Sequence, residues 1–364
     1  MKIAILNITS GGLSGGYIKY LHSILPHFNN DNEVQTLVSL PLGSNINLVF
    51  SNIITIYHTS NNYNSVIRAA LVKFNPDVIF IPTSRYFNYN KIPVVNMVRN
   101  MEPLTCLFIN NPLIEIFKNM LRFSVTFKSV ILSQRVIAVS EHVSTYIRDK
   151  WYIPKQKIAI VKHGFTCSTV PSISVEFTND IDFLFTAGSI RPARGLTYLL
   201  QSFQLILKKF PQFNLIIAGN TDKTMLSYQK KLIKLTVKLG IFSNVKWVGG
   251  LSAGQMKHCF LNCHSFVMTS LAEACPNTLI EAMSHGCPII STSIEPMPEF
   301  LDQDAFFYNH NQTNSLLNAF ITRMNSDDNL LSKYAHNNST KSKGYSWESC
   351  YKMTINELRI ASTL

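Results

Sequence analysis

The chain has 364 residues, of which 46% are hydrophobic and 15% charged, and its formal net charge at pH 7 is +12. This length suits two domains rather than one core, and the apolar content excludes a disordered chain. No apolar run reaches the roughly 18 residues of a membrane-spanning helix, the N-terminus predicts a strand rather than a signal peptide, and the seven cysteines lack paired spacing. We therefore expect a cytoplasmic globular protein without a disulfide framework.

The net positive charge is concentrated in the first half of the chain, where acidic residues are few. Residues 1–165 carry 16 Lys and Arg against 7 Asp and Glu, whereas residues 166–364 carry 17 against 14. A basic surface attracts nucleic acid or anionic lipid. Because we find neither interleaved basic and aromatic residues nor a helix-turn-helix pattern, we expect no nucleic-acid partner.

Strand-like runs alternate with helical patterns along the whole chain, which is typical of parallel α/β units. A segment at 166–180 is rich in Ser and Thr and lacks helical periodicity, so it predicts a linker. We therefore expect Rossmann-like domains at 1–165 and 181–345, followed by an amphipathic helix at 346–364. The predicted strands lie near 2–6, 34–39, 53–57, 77–81, 94–98, 135–140, 157–162, 182–188, 214–219, 245–249, 264–269, 288–292 and 305–308.

A glycine-rich segment at 10–16 follows the first predicted strand and leads into a helix. Glycines permit positive φ and close approach of a ligand to the backbone, and a helix N-terminus favours anions. The second strand ends without the acid that would bind a ribose 2′-hydroxyl, so the segment is not a clean dinucleotide motif. A phosphate-binding turn and a plain tight turn both fit.

Strand 182–188 ends in a loop that contains Arg191 and Arg194 and precedes the next helix. Open α/β folds bind ligands at the carboxyl ends of their strands, and a guanidinium group matches a diphosphate with two parallel hydrogen bonds. Both arginines are candidate diphosphate ligands. Solvated surface arginines are the alternative.

Glu273 and Glu281 flank the start of a predicted helix in the segment EACPNTLIEAMSHGCPIIS. Pro276 suits the first helical turn, and Gly286 followed by Pro288 predicts the end of the helix before a buried strand. The segment therefore predicts a loop, a helix and a strand in that order.

The beginning of this helix is a candidate site for a nucleotide sugar. The backbone amides near Asn277 and Thr278 lie at the positive end of the helix dipole, where they can bind a phosphate without a metal ion. Glu281 points back toward that end and can accept hydrogen bonds from ribose hydroxyls, whereas Glu273 faces a sugar from the loop. The alternative is two solvated glutamates beside a helix.

This segment resembles the signature of the family 4 retaining glycosyltransferases. The match covers the spacing of the two glutamates, the core CPNTLIEAM and the trailing GCPII. The resemblance implies the GT-B fold, in which two Rossmann-like domains face each other across a cleft and the C-terminal helix crosses back to the first domain. It also implies that the first domain binds the acceptor and the second binds the nucleotide sugar.

The resemblance further implies roles for individual residues. The catalytic candidates are Glu273, Arg191, Arg194 and Asn100. Ser189 stands where relatives carry an arginine and Arg194 where they carry a lysine, so Arg191 is the candidate for the missing charge; which arginine is the main diphosphate ligand stays open. The donor-binding candidates are Gly15, Gly16, Gly188, Pro276, Asn277, Thr278, Leu279 and Glu281.

Three site candidates lie in the first half, namely Asn100 and the two acceptor-side candidates Glu102 and His163. Asn100 stands where many relatives have a histidine near the reacting sugar, so no histidine acid or base is expected there. Asn100 can bind a sugar hydroxyl and Glu102 can contact the acceptor, with ordinary turn residues as the alternative. His163 belongs to a His-Gly turn similar to the family's, and either a cleft role or a structural role fits it.

The segment 113–135 is apolar but carries Lys118, Arg122, Lys128 and Arg135. Such a basic amphipathic stretch can lie at the surface of an anionic membrane. The alternative is a pair of helices that face the core.

No pair of carboxylates spaced as Asp-x-Asp ends a strand of the first domain, so we expect no metal ion and no cofactor. Cys259 and Cys263 fall on the apolar face of a predicted helix, where cysteine behaves as a small hydrophobic residue. We therefore expect them in the core.

These observations together predict a metal-independent glycosyltransferase, and the resemblance implies that it retains the anomeric configuration. It would move a sugar from a nucleotide diphosphate sugar to a saccharide or lipid-linked saccharide in polysaccharide or lipopolysaccharide assembly. One alternative is a nucleotide-sugar epimerase of the same fold. The other is a non-catalytic binding protein, which the departures at Ser189 and Asn100 would allow.

Overall fold

The computed structural model describes residues 1–8, 13, 15–44, 50–105, 111–167 and 169–364. Its contacts divide the chain into two compact units. The first comprises Met1–Leu104, Phe117–Gly164 and Tyr345–Leu364, and the second comprises Thr105–Ile116 and Phe165–Gly344.

The first sheet is parallel throughout, with the strand order β3-β2-β1-β4-β5-β6-β7. Its strands are β1 (Lys2–Leu6), β2 (Gln35–Pro41), β3 (Ile53–His58), β4 (Val78–Ile81), β5 (Val94–Val98), β6 (Arg135–Ala138) and β7 (Ile158–Ile160). The helices of this part of the chain are α1 (Gly15–Asn30), α2 (Tyr63–Phe74), α3 (Glu102–Thr105), α4 (Leu113–Leu132) and α5 (Glu141–Trp151).

The second sheet is also parallel, with the order β10-β9-β8-β11-β12-β13. Its strands are β8 (Phe183–Ala187), β9 (Asn214–Ala218), β10 (Val245–Gly249), β11 (Ser265–Met268), β12 (Ile289–Thr292) and β13 (Phe306–Tyr308). The remaining helices are α6 (Leu196–Lys209), α7 (Leu226–Lys238), α8 (Ala253–Asn262), α9 (Asn277–Ser284), α10 (Met297–Leu301), α11 (Ser315–Met324), α12 (Asp328–Lys343) and α13 (Trp347–Ser362).

Both sheets follow from continuous apolar runs. All residues of β4, β5 and β8 are buried, as expected for parallel strands covered on both faces. A strand is present at each predicted position, and the α/β fold class with two Rossmann-like units is confirmed. In the second sheet, the chain order reverses between β8 and β11, which makes the carboxyl ends of these two strands the topological switch point.

The C-terminal helix α13 belongs to the first unit, as the GT-B resemblance implied. It contacts α1 and strands β4, β5 and β6. Arg135 Nε donates to Glu357 Oε2 at 2.8 Å, and the Tyr351 hydroxyl donates to Asp31 Oδ2 at 2.6 Å. Ion pairs and hydrogen bonds thus join α13 to residues more than 200 positions earlier in the chain.

Residues 113–132 form one helix, α4, so the alternative of a pair of core-facing helices is wrong. The helix also exposes large apolar side chains, among them Phe117 and Leu121. Within the described ranges, no helix combines the length and the hydropathy needed to cross a bilayer.

Candidate functional site

Two loops meet at the switch point of the second sheet. One runs from Gly188 to Gly195 after β8, and the other runs from Thr269 to Pro276 after β11. Because β8 and β11 are adjacent parallel strands, their carboxyl ends bring these loops side by side. Most donor-binding candidates and three of the four catalytic candidates lie on these two loops or on α9.

Hydrogen bonds to backbone carbonyls join the two loops. The Thr269 hydroxyl donates to the Arg194 carbonyl at 2.6 Å, and the Leu271 amide donates to the Ala193 carbonyl at 2.8 Å. Gly195 has φ +70°, and a Cβ there would overlap the Thr269 carbonyl. Only glycine therefore allows the loops to approach this closely.

Arg194 and Glu273 form an ion pair across the two loops. Arg194 Nη1 donates to Glu273 Oε1 at 2.9 Å and to Ser270 Oγ at 2.8 Å. The side chains are only 16% and 20% exposed, so water weakens the attraction less than at the surface. The structure thus brings together two predicted catalytic residues and fixes the direction of the Glu273 carboxylate.

Arg191 extends in a different direction. Its Nη2 lies 3.7 Å from Asp222 Oδ2, on the loop that follows β9. Gly188 has φ +139°, and a Cβ there would overlap the Arg194 guanidinium. The two arginines therefore lie on opposite sides of the β8 loop, and Arg194 is the one beside Glu273.

Helix α9 begins at Asn277, one residue after Pro276, so the prediction that Pro276 occupies the first helical turn is one position early. The Pro276 carbonyl accepts the Ile280 amide at 3.1 Å, as expected for a residue that caps the helix. The Asn277 amide donates to the Cys275 carbonyl at 3.0 Å. Of the two predicted phosphate-binding amides, that of Asn277 therefore already has an acceptor within the loop.

The burial pattern orients α9. Leu279 and Ile280 are completely buried, whereas Thr278 and Glu281 are half-buried. Thr278 and Glu281 are three residues apart and so share one face of the helix. Leu279, a predicted donor-binding residue, can contribute only through its backbone or by positioning its neighbours.

In the first unit, Gly15 and Gly16 are exposed and start helix α1. The rest of the predicted glycine-rich turn, residues 10–12 and 14, lies outside the described residues. Arg99 Nη2 donates to the Gly16 carbonyl at 3.2 Å, and the Arg99 guanidinium lies 4.6 Å from the Tyr17 ring centre. Arg99 follows β5 directly and was not singled out from the sequence.

Asn100 lies two residues before α3, and Glu102 is the first residue of that helix. Asn100 is exposed, and its Oδ1 accepts the Glu102 amide at 3.1 Å. Glu102 itself is only 5% exposed. The structure thus gives Asn100 a local role at a helix start.

His163 is buried between the rings of Tyr20 and Trp347, with ring centres 5.1 Å and 6.1 Å away. Burial, with a smaller contribution from positively charged Arg99, lowers the pKa of His163 well below its usual value. The ring is therefore neutral near pH 7. It lies in an aromatic cluster of the first unit.

A cavity of about 340 Å³ lies at the carboxyl edge of the first sheet. Arg85, Tyr63 and Tyr86 line it together with Lys128 of α4. Burial and the nearby charge of Arg122 lower the pKa of Arg85. Sequence analysis did not select Arg85, although its position just after β4 follows the rule that drew attention to Arg191 and Arg194.

The structure places Cys259 and Cys263 in the core, as predicted. Burial raises the pKa of Cys259 to about 12, and Cys263 Sγ lies 3.3 Å from Cys287 Sγ. In the part of the chain that the structure describes, no three or more His, Cys, Asp or Glu side chains cluster as metal ligands would. Metal independence stays a prediction.

Most of the second unit is similar in sequence to a known protein family. Residues 173–341 match the family model described as glycosyl transferases group 1. An uncharacterized glycosyltransferase of Methanocaldococcus jannaschii is 28% identical over 250 residues, which cover 62% of this chain and 58% of that protein. The O-antigen chain mannosyltransferase B of Escherichia coli is 22% identical over 243 residues, covering 64% and 62%. The chain thus spans about three fifths of the length of these curated relatives.

Comparison with solved structures supports the fold of the whole chain. The structure of Anabaena HepE in complex with UDP-glucose has a TM-score of 0.73, with 17% identity over 100% of both chains. At this identity the likeness concerns the fold alone. Residues 173–341, the part of the chain that matches the glycosyl transferases group 1 model, hold the Arg194–Glu273 pair and helix α9.

Proposed function

We propose that the chain is a retaining, metal-independent glycosyltransferase that acts in the cytoplasm. Its donor is a nucleoside diphosphate sugar, and its acceptor is a hydroxyl of a saccharide or lipid-linked saccharide in cell-surface polysaccharide or lipopolysaccharide assembly. The observation that carries the proposal is the Arg194–Glu273 pair at the switch point, beside the start of α9. The family match, the relative named as an O-antigen mannosyltransferase and the UDP-glucose complex of HepE support it.

The second unit binds the donor in this proposal. Arg194 and the Thr278 amide face the diphosphate and stabilise the negative charge that develops on it as the sugar leaves. Arg191 is assigned to the opposite side of the diphosphate, where its contact with Asp222 at 3.7 Å is weak enough to exchange for a phosphate. Glu281 binds the ribose hydroxyls, and Glu273, oriented by Arg194, binds hydroxyls of the donor sugar.

The first unit binds the acceptor. We assign the acceptor to the cavity that Arg85, Tyr63 and Tyr86 line, since aromatic and basic side chains suit sugars and their anionic groups. In the reaction, the bond between the anomeric carbon and the diphosphate oxygen breaks, and a bond to the acceptor oxygen forms on the same face. The departing phosphate oxygen takes the hydroxyl proton.

Thermal shift with UDP, GDP and ADP tests donor binding, because a ligand that binds only the folded state raises its stability. Incubation of the corresponding nucleotide sugars with and without saccharide acceptors then tests transfer. Nucleoside diphosphate released only with an acceptor supports a transferase, and NMR of the product reports the anomeric configuration. Release without acceptor would indicate an epimerase or hydrolase, and the absence of any donor turnover would favour a binding protein.

A further inference from the structure

Helix α4 presents its polar side to the protein and its apolar side to solvent. Glu115, Asn119 and Ser129 are at most 3% exposed. On the opposite side, Phe117 is 61% and Leu121 is 53% exposed. This is the reverse of the usual amphipathic helix of a globular protein, whose apolar side faces the core.

The exposed apolar side chains form one continuous face. In an α-helix, residues three, four and seven positions apart lie above one another. Within the first unit, the large apolar side chains of α4 that are exposed are Phe117, Met120, Leu121, Phe127, Ile131 and Leu132. Six such side chains on one helix form a patch of the kind that marks an interaction site rather than scattered surface residues.

The helix is held firmly in this orientation. Phe123 and Phe127 pack edge-on against Trp151 of α5, with ring centres 5.7 Å and 5.4 Å away. Lys157 Nζ donates to the Ile131 carbonyl at 2.7 Å, and Val130 is completely buried. Phe127, which is 37% exposed, thus lies at the edge where the apolar face meets Trp151. The rest of the face is turned outward because Val130 and the buried polar side chains occupy the opposite side of the helix.

The charges of α4 indicate what covers this face. The helix carries Lys118, Arg122 and Lys128, and its one acidic residue, Glu115, is buried. The first half of the chain is also the basic half. Lys128 is exposed on the apolar face itself, three positions before Ile131, whereas Arg122 donates to the buried Asn119 on the other side. An apolar helix face that carries an exposed basic side chain matches the boundary between acyl chains and anionic headgroups.

We propose that α4 lies in the headgroup layer of an anionic membrane, with its exposed apolar face directed toward the acyl chains. Lys128 of α4 also lines the cavity that contains Arg85, so docking brings this cavity to the lipid surface. The acceptor is then a membrane-borne, anionic lipid-linked saccharide. That last statement rests on the proposed function, whereas membrane docking does not.

Co-sedimentation with lipid vesicles tests the docking on the full chain. One set contains phosphatidylcholine alone, and the other contains equal parts of phosphatidylcholine and phosphatidylglycerol. We expect binding to the anionic vesicles, and the double variant Phe117→Ser/Leu121→Ser should lower the partition coefficient at least about tenfold. The matched control is Val237→Ser/Phe242→Ser, which removes two apolar side chains of similar exposure, 60% and 56%, from the second unit and should bind like the wild type.

A second variant tests the charges. Lys118→Gln/Lys128→Gln should weaken binding to anionic vesicles by about 25-fold, since each basic residue near an anionic surface strengthens binding by about fivefold. High salt should weaken wild-type binding in the same way. Turnover of a nucleotide sugar on a water-soluble acceptor is measured in parallel for the wild type and for Phe117→Ser/Leu121→Ser, neither of whose changed residues lines the acceptor cavity. This comparison keeps failure of docking separate from failure of the proposed function.

Several results would overturn the docking proposal. These are absence of wild-type binding to the anionic vesicles, equal binding to neutral vesicles, and unchanged binding of Phe117→Ser/Leu121→Ser. A wild-type dimer in solution that this variant converts to a monomer would also overturn it, because a second copy would then cover the face. Unchanged circular dichroism of each variant shows that the exposed substitutions leave the fold intact.

Discussion

The coupling between Arg194 and Glu273 can be measured with a double-mutant cycle of Arg194→Met and Glu273→Gln. The pair is joined at 2.9 Å, and about four fifths of each side chain is buried. Hydrogen bonds to charged groups contribute about 1.5–3 kcal/mol, and exposed ion pairs only about 0–1 kcal/mol. Since Ser270 still binds the arginine in Glu273→Gln, we expect a coupling free energy of about 1.5–2 kcal/mol.

Denaturant unfolding of the four proteins, followed by a probe in the second unit, gives this coupling. The same variants separate the proposed roles in catalysis. Glu273→Gln should lower turnover by about a hundredfold or more with UDP, GDP or ADP affinity nearly unchanged, whereas Arg194→Met should weaken nucleoside diphosphate binding itself. A coupling below about 0.5 kcal/mol, or equal effects of both variants on nucleotide affinity, would refute the reasoning.

Further outcomes follow from the same structure. Glu281→Ala should weaken binding of free nucleoside diphosphate by about tenfold in calorimetry, and unchanged affinity would remove Glu281 from the ribose site. Gly195→Ala should destabilise the chain by more than about 2 kcal/mol because its Cβ overlaps a carbonyl, whereas Gly240→Ala, at φ +69° with open space around it, should cost about 1 kcal/mol. Turnover should survive excess chelator, and a loss restored only by a divalent ion would contradict metal independence. Because burial lowers the pKa of His163, the unfolded chain binds the proton first, so unfolding free energy should fall as pH drops below about 6.5, and less steeply in His163→Phe.

The fold was predictable because its strands carry a strong signal. Parallel strands buried on both faces are continuous apolar runs, and the turns between them are rich in Gly, Pro and Asn. The order of strands in the sheets, by contrast, follows from the family resemblance rather than from any one run. Predicting the ion pair of Arg194 with Glu273 would therefore require knowing that β8 and β11 are neighbours.

Other features depend on tertiary packing that periodicity does not reveal. Arg191 turns toward Asp222 because the β9 loop lies on that side of β8. The apolar periodicity of α4 predicts an apolar face, and the two alternatives for what covers this face were a membrane and the protein core. Only the packing of the helix against Trp151 shows which side of the helix lies away from the core. The hydrogen bond from the Glu102 amide to Asn100 could have been predicted from the sequence, because an Asn two residues before Glu-Pro is a common start of a helix.

The position of α13 has a consequence for how the protein is made. Strands β4, β5 and β6 of the first unit are covered by a helix that follows the whole second unit in the chain. A ribosome releases the chain from its N-terminus, and domains usually fold as they emerge. Part of the sheet of the first unit therefore stays uncovered until α13 leaves the exit tunnel, whereas all residues of the second unit precede α13. The second unit can thus complete its fold before the first.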